Sequence, residues 1–164
     1  NISKENNYLP KLISSVEEVN FNQKKILFKK VVSHFGKNLK DKKIAIWGLS
    51  FKPETDDMRE APSIPLINSL IEAGAEVNAY DPQALEEAKF YLKGLEVKYF
   101  ENKYKALEKV DALILVTEWK EFRSPDFTRM LNLMNSNVFI DGRNQFNYDQ
   151  MKEQGFNYSQ IGVK

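Results

Sequence analysis

Hydrophobic positions divide the chain into two regimes. From Leu9 to Phe35 the apolar residues recur mostly at the spacing of one helix face. Pro10 suits the first turn of such a helix, and Gly36 suits its end. The pattern predicts a long amphipathic helix with a solvated lysine-rich face. Its apolar stripe must pack either on the residues that follow or on a part of the protein outside this chain.

After Asp41, short apolar runs alternate with helical patterns. The predicted strands are Ile44–Trp47, Glu76–Tyr80, Glu96–Phe100, Ala112–Thr117, Val138–Ile140 and a weak final strand, Phe156–Ile161. The predicted helices are Pro62–Ala73, Ala84–Leu92, Tyr104–Lys109, Phe127–Met134 and Gln150–Gln154. Strands joined by helical crossovers form a parallel sheet covered on both faces. We therefore predict an α/β fold: a Rossmann-like, doubly wound parallel sheet over residues 37–164, preceded by the long helix within residues 1–36.

Composition narrows the classes of function. The chain has 164 residues, of which 42% are hydrophobic, so it can bury a core. A net charge of +1 favours neither nucleic acid nor a membrane surface as a partner. The absence of cysteine excludes disulfides, thiolate metal sites and a cysteine nucleophile within this chain, and one histidine, His34, leaves little for a metal site. No apolar run approaches the ~18 residues of a membrane span and no signal peptide is visible, so we expect a cytoplasmic location and no metal.

The candidate chemistry lies where the strands end. In open parallel sheets, ligands bind outside the carboxyl ends of the strands, near the switch point between the first and the fourth strand. Lysine offers a point charge and arginine a two-pronged donor, and both suit a diphosphate. The loops after the first, fourth and fifth strands carry Phe51, Lys52 and Arg59, then Glu118, Trp119 and Lys120, then Asp141, Gly142 and Arg143.

The first of these loops lacks the glycines of a dinucleotide site. That site needs G-x-G-x-x-G, so that backbone approaches the pyrophosphate at a helix N-terminus. Here Gly48 stands alone, followed by Leu49, Ser50 and Phe51. The sequence predicts a nucleotide other than NAD, gripped through its diphosphate by side chains.

Some polar residues near these loops also have structural interpretations. Asp56 and Asp57 precede a predicted helix, where we expect them to cap the turn rather than hold a metal. Asp81 is expected to be a strand-end turn residue before Pro82. Trp119 fits a pocket wall and a core aromatic equally well.

Four stretches resemble one known family. They are "GLSFKPETDDMREAPS" at 48–63, "YDP" at 80–82, "DALILVTEWKEF" at 111–122 and "DGRN" at 141–144. Together they are similar to the UDP-binding C-terminal domain of the UDP-glucose/GDP-mannose dehydrogenase family, and most of all to its UDP-glucose 6-dehydrogenases. The preceding "VEEVNFNQKK" resembles the end of the family's central helical segment. The resemblance covers essentially the whole chain.

The resemblance implies an oxidoreductase that uses NAD as cofactor. Its reaction turns UDP-glucose, two NAD and water into UDP-glucuronate and two NADH, a precursor supply for polysaccharides. Phe51, Lys52 and Arg143 match positions that bind the UDP-sugar. Arg59 matches an arginine that reaches towards NAD, although from the sequence alone it also fits a surface ion pair with a neighbouring glutamate.

The resemblance also shows what this chain lacks. The family's catalytic cysteine and the glycine-rich NAD loop of its N-terminal domain are both absent. We therefore expect a C-terminal fragment that binds UDP or UDP-sugar weakly and has no activity alone, with NAD bound mainly by the N-terminal domain. Residues 1–36 are expected to belong to the linking helix, through which the complete protein forms a homodimer. Two alternatives stay open: a fragment of a GDP-mannose or UDP-N-acetylhexosamine 6-dehydrogenase, and a non-catalytic nucleotide-binding module.

Overall fold

A computed structural model describes residues 25–162 of the chain. Helix α1 occupies 25–35, where the long amphipathic helix was predicted to end; the earlier part of that prediction lies outside the described residues. Leu27 and Val31 of α1 are buried in the same core cluster as Ile44 and Ile46. The apolar face of α1 therefore packs on the residues that follow it.

Six strands form one parallel sheet in the order β3-β2-β1-β4-β5-β6. Their bounds are β1 Lys43–Trp47, β2 Glu76–Tyr80, β3 Val97–Tyr99, β4 Ala112–Leu115, β5 Val138–Asp141 and β6 Asn157–Gln160. The predicted Rossmann-like sheet is confirmed, with β1 beside β4 at the switch point. In that pairing Trp47 lies opposite Leu115, so the loops after β1 and β4 start side by side.

Helices connect the strands, as predicted. They are α2 Ser63–Glu72, α3 Leu85–Tyr91, α4 Phe127–Leu133 and α5 Tyr148–Glu153. Helix α5 starts two residues earlier than predicted because the Asn147 side chain accepts the Gln150 N–H and caps it. The helix predicted at Tyr104–Lys109 is only a 3₁₀ turn, Lys105–Leu107, since Glu108 is already extended and Lys109 is left-handed at φ 56°. A second 3₁₀ turn, Lys120–Phe122, was not predicted.

The sheet is buried on both faces. Successive side chains of β1 point to opposite sides, so Ile44 and Ile46 enter one core cluster and Ala45 and Trp47 the other. Both clusters continue through β4 and β5, which explains why these strands are buried throughout and apolar except for Asp141 at the end of β5. Within 25–162, no helix is long and apolar enough to cross a membrane. Asp81 and Asp141, the buried charged residues within 25–162, lie at strand ends.

Candidate functional site

Gly48 lets the loop after β1 touch the loop after β4. Its φ is +85°, and a Cβ placed on it would lie 2.6 Å from both the backbone N and the backbone O of Thr117. Any larger residue would push the two loops apart. The single glycine of this loop therefore makes room for protein backbone at the switch point.

Asp81, at the end of β2, holds the same loop from the other side. Its Oδ2 accepts hydrogen bonds from the backbone N–H groups of Leu49 at 2.7 Å and Ser50 at 3.2 Å. It also accepts one from Nε1 of Trp119 at 3.1 Å. In a dinucleotide domain an acid at this place grips a ribose. Here the carboxylate is 1% exposed and already occupied by protein donors, so this chain does not offer that ribose contact.

The carbonyl groups of this loop are fixed as well. The Ser63 hydroxyl donates to the Leu49 carbonyl at 2.5 Å, and the Thr117 hydroxyl donates to the Ser50 carbonyl at 2.6 Å. Both N–H groups and both carbonyls of Leu49 and Ser50 thus have buried partners. This satisfied backbone forms a rigid base for the residues that come next.

Phe51 and Lys52 project from this base. The Phe51 side chain is 51% exposed, and its backbone N–H donates to the Asp57 carbonyl at 2.8 Å. Lys52 is exposed, and its charge helps to lower the pKa of Asp57, but its ammonium group forms no salt bridge within 4 Å in the described part of the chain. An exposed aromatic next to a cation without a carboxylate partner is suited to a charged ligand with a planar or ring-shaped group.

Arg143 lies in the loop after β5 and is held by Glu118 of the loop after β4. Arg143 Nη2 donates to Glu118 Oε1 at 2.7 Å, and Nε lies 2.5 Å from Oε2. Burial by itself would raise the pKa of Glu118, but hydrogen bonds and charge, chiefly from Arg143, outweigh it and leave that pKa below its usual value. Arg143 therefore presents an oriented but neutralised guanidinium group.

Asp141 builds the loop that carries Arg143. Its Oδ1 accepts the Arg143 N–H at 2.8 Å, and its Oδ2 accepts the Gln145 N–H at 2.7 Å. The Tyr158 hydroxyl also donates to Oδ2, at 2.5 Å. Burial and this hydrogen bond raise the pKa of Tyr158. Asp141, predicted only as part of a ligand-facing loop, is fully buried and shapes that loop from inside.

Arg59 pairs with Asp57, a partner that the sequence reading did not consider for it. Nε and Nη2 of Arg59 donate to the two carboxylate oxygens at 3.0 and 2.8 Å, and lower the pKa of Asp57 to about 2. Asp57 also accepts the Arg59 N–H, while its own N–H donates to Thr55, which confirms the predicted turn-capping role of Asp57. A shallow polar hollow of about 330 Å³ adjoins this pair, lined by Thr55, Asp56, Asp57, Met58, Arg59, Glu87 and Tyr91. Neither Lys52 nor Arg143 lines this hollow.

The cationic side chains of these loops thus differ in whether they form an ion pair with a carboxylate. Arg59 and Arg143 are paired with carboxylates, and Lys120 lies 3.0 Å from Glu54 across the two exposed loops. Trp119 is 5% exposed and belongs to a core cluster, so of its two interpretations the core aromatic is correct. The sequence reading missed the connecting roles of Ser63 and Thr117, because they depend on which loops the sheet brings together.

Comparison with known proteins identifies the family. The profile described as "UDP-glucose/GDP-mannose dehydrogenase family, UDP binding domain" matches residues 45–148. The chain belongs to this family. The match includes Phe51, Lys52, Arg59 and Arg143, whose contacts with ligands stay predictions.

The relatives agree with this assignment. A UDP-glucose 6-dehydrogenase of Pseudomonas aeruginosa is 40% identical over 159 residues, covering 94% of this chain and 35% of that protein. One of Bacillus subtilis is 38% identical over 161 residues, covering 98% and 34%. The structure of a UDP-glucose dehydrogenase from Pyrobaculum islandicum superposes with a TM-score of 0.79 at 26% identity, covering 96% of this chain and 34% of that one. The chain spans about a third of the length of these relatives.

Proposed function

We propose that this chain is the UDP-sugar-binding domain of an NAD-dependent UDP-glucose 6-dehydrogenase, which converts UDP-glucose to UDP-glucuronate. The observation that carries the proposal is the fixed loop after β1, which presents Phe51 and Lys52 at the carboxyl edge of the sheet in a chain of this family. This edge is where open parallel sheets bind their ligands.

Lys52 and Arg143 bind the ligand from two different loops at that edge. They follow β1 and β5, which flank β4, so their strands lie about 10 Å apart. Lys52, which forms no salt bridge with the described residues although its charge acts on nearby Asp57, neutralises the diphosphate. Arg143, oriented by Glu118, donates hydrogen bonds to the UDP-sugar from the loop after β5. Phe51 packs against the UDP-sugar. A sugar nucleotide is long enough to contact both loops.

Arg59 is the residue of this chain that contacts NAD in the proposed enzyme. The chain's own Gly48 loop and Asp81 do not fit a dinucleotide, because the loop backbone and the carboxylate are already bonded to protein. NAD, which accepts hydride in the oxidation, is held mainly by another part of the enzyme, and Arg59 on its exposed loop reaches towards it. The family's catalytic cysteine also belongs to that other part. We assign residues 1–36 to the linking helix of a cytoplasmic homodimer and residues 37–164 to the UDP-sugar-binding domain.

Calorimetric titration of this chain with UDP, UDP-glucose, GDP and NAD tests the proposal. We expect UDP and UDP-glucose to bind more tightly than GDP, and NAD to bind more weakly than either. A preference for GDP would instead favour a sister enzyme that oxidises GDP-mannose. Failure of UDP and UDP-glucose to bind would overturn the proposal.

A further inference from the structure

The two oxygens of the Asp81 carboxylate serve different segments. Oδ1 accepts the N–H groups of Gln83 at 2.9 Å and Ala84 at 2.8 Å, in the turn that leads into helix α3. Oδ2 accepts only from the loops after β1 and β4, as described above. One side chain therefore has a local role in the turn before α3 and a separate long-range role.

The long-range role links two ligand-facing loops through Trp119. The Trp119 indole donates to the same Oδ2 that holds Leu49 and Ser50. Its neighbours in the loop after β4 contact other loops as well. The Thr117 hydroxyl donates to the Ser50 carbonyl, Glu118 pairs with Arg143, and Lys120 pairs with Glu54. Asp81 is the buried point where this network meets the loop that carries Lys52.

We propose that Asp81, together with Trp119, is a positioning residue for the UDP site. It sets the backbone of Leu49 and Ser50 and thereby the direction in which Phe51 and Lys52 leave the sheet. The proposal rests on the proposed function, since the ligand concerned is UDP. A carboxylate suits this place because it accepts several N–H donors at once and its charge shortens and strengthens each bond. A neutral amide has one acceptor oxygen and cannot do the same.

The two roles can be separated by one substitution. In Asp81→Asn, the amide oxygen can keep the two hydrogen bonds of the turn before α3 by staying at the position of Oδ1. The amide NH₂ group then faces the N–H donors of Leu49, Ser50 and Trp119, and the loop must move. We expect UDP to bind about tenfold more weakly or worse, a change of about 1.4 kcal/mol.

Asp111→Asn is the matched control. Asp111 lies at the opposite, amino-end edge of the sheet, where its Oδ2 accepts the Lys43 N–H at 2.9 Å. The same chemical change there leaves an amide oxygen to accept the Lys43 N–H but removes the ion pair of Oδ1 with Lys42 at 3.8 Å, far from the proposed site. We expect a lower melting temperature for this variant but UDP affinity within about twofold of the unsubstituted chain.

The indole N–H groups supply a local readout. The chain has two tryptophans. Trp119 Nε1 donates to Asp81, whereas Trp47 Nε1 donates to the Lys103 carbonyl at 3.0 Å. In a ¹H–¹⁵N spectrum of this chain, Asp81→Asn should shift the Trp119 indole peak and leave the Trp47 peak in place. UDP added to the unsubstituted chain should likewise shift the Trp119 peak.

If Asp81→Asn does not fold, two tryptophan variants test the positioning role instead. Trp119→Phe removes the donor to Asp81 but keeps an aromatic ring in the core, and we expect UDP affinity to fall about fivefold. Trp47→Phe makes the same change in the same core cluster and should leave UDP affinity within about twofold.

Each outcome has a distinct meaning. If the unsubstituted chain does not bind UDP, the proposed function fails and this inference fails with it. If it binds UDP, and the folded Asp81→Asn and Trp119→Phe variants bind as tightly as their controls, only the positioning role is overturned. Weaker binding in these two variants, with both controls unaffected, supports it.

Discussion

Glu118 pairs with Arg143, accepting a hydrogen bond from Nη2 at Oε1 and placing Oε2 2.5 Å from Nε, although the two residues follow different strands. The pairing is possible because β4 and β5 lie side by side with Leu115 opposite Asp141, so their loops begin together. The guanidinium group that is proposed to bind the sugar nucleotide is therefore oriented before any ligand arrives. Such preorganisation lowers the entropy lost on binding.

Replacing Glu118 by Gln should remove this ion pair and its pH dependence. The folded-state pKa of Glu118 is depressed, so its stabilising effect is present above the unfolded value of 4.5 and is lost as the pH falls through the lower folded value. We expect Glu118→Gln to cost less than about 1 kcal/mol near pH 7, because the pair is partly exposed. The difference in unfolding free energy from the unsubstituted chain should shrink as the pH falls below 4.5 in urea titrations. A difference that grew with acidity would contradict the assignment.

Replacing Lys52 or Arg143 by Ala should weaken UDP-glucose binding. Each change removes a charge-assisted hydrogen bond to the ligand, and the expected loss is about 1.5–3 kcal/mol in calorimetric titrations. Lys98→Ala is the control, because Lys98 lies on β3 and forms an exposed ion pair with Glu76. Unchanged affinity in both Lys52→Ala and Arg143→Ala would remove these two residues from the site.

Gly48→Ala should destabilise the fold more than the same change at another left-handed glycine. Gly94 has φ +91° with nothing within 4 Å of an added Cβ, so Gly94→Ala carries only the backbone strain of about 1–2 kcal/mol. Gly48→Ala adds a backbone clash with Thr117, for which we expect about 2 kcal/mol more. Chemical denaturation of the two variants measures the difference. Equal losses would mean that the loops after β1 and β4 can separate freely.

Tyr158→Phe should destabilise the chain by about 2 kcal/mol, because it removes a hydrogen bond to a buried carboxylate. Tyr99→Phe is the control, since the Tyr99 hydroxyl has only a 3.5 Å contact with the Ala88 carbonyl, and we expect a loss below about 0.5 kcal/mol.

The contribution of Tyr158 to stability should depend on pH in the alkaline range. The pKa of Tyr158 is raised in the folded state by burial first and by Asp141 second. Its stabilising contribution is therefore complete below the unfolded value of 10.0 and is lost as the pH rises above it. The gap in stability between the unsubstituted chain and Tyr158→Phe should narrow above about pH 10. A gap that stayed constant would place this hydroxyl in a more open environment.

Arg59→Ala in the complete enzyme should raise KM for NAD more than KM for UDP-glucose. Arg59 is exposed and forms an ion pair with Asp57, whereas Arg143 forms its ion pair with Glu118 in a different loop. Arg129→Ala serves as control, because Arg129 is a surface residue of helix α4 whose guanidinium carbon lies 4.2 Å from the centre of the Tyr104 ring. Steady-state kinetics with each substrate varied in turn measures both constants. A larger effect on UDP-glucose would assign Arg59 to the sugar nucleotide.

Strand positions could be predicted from the sequence, but strand ends less well. Glu76–Tyr80 was predicted at its observed bounds, because polar and apolar residues alternate from Glu76 to Ala79 and an Asp-Pro follows. The fourth strand was predicted to reach Thr117 but ends at Leu115. Val116 and Thr117 favour strand locally, yet Thr117 is drawn into contact with Gly48 and the Ser50 carbonyl. A tertiary contact overrode a local preference.

The sequence by itself determined the fold class and the cations at the strand ends, because apolar periodicity and motif spacing are local properties of the chain. Only the tertiary structure decided which carboxylate each cation meets. Asp81 reaches Trp119 and Glu118 reaches Arg143 through the order of the strands, which places distant segments side by side. That is why Lys52 forms no salt bridge within residues 25–162 and acts on Asp57 only through its charge, while Arg143 is paired directly with Glu118. The sequence alone does not show this difference.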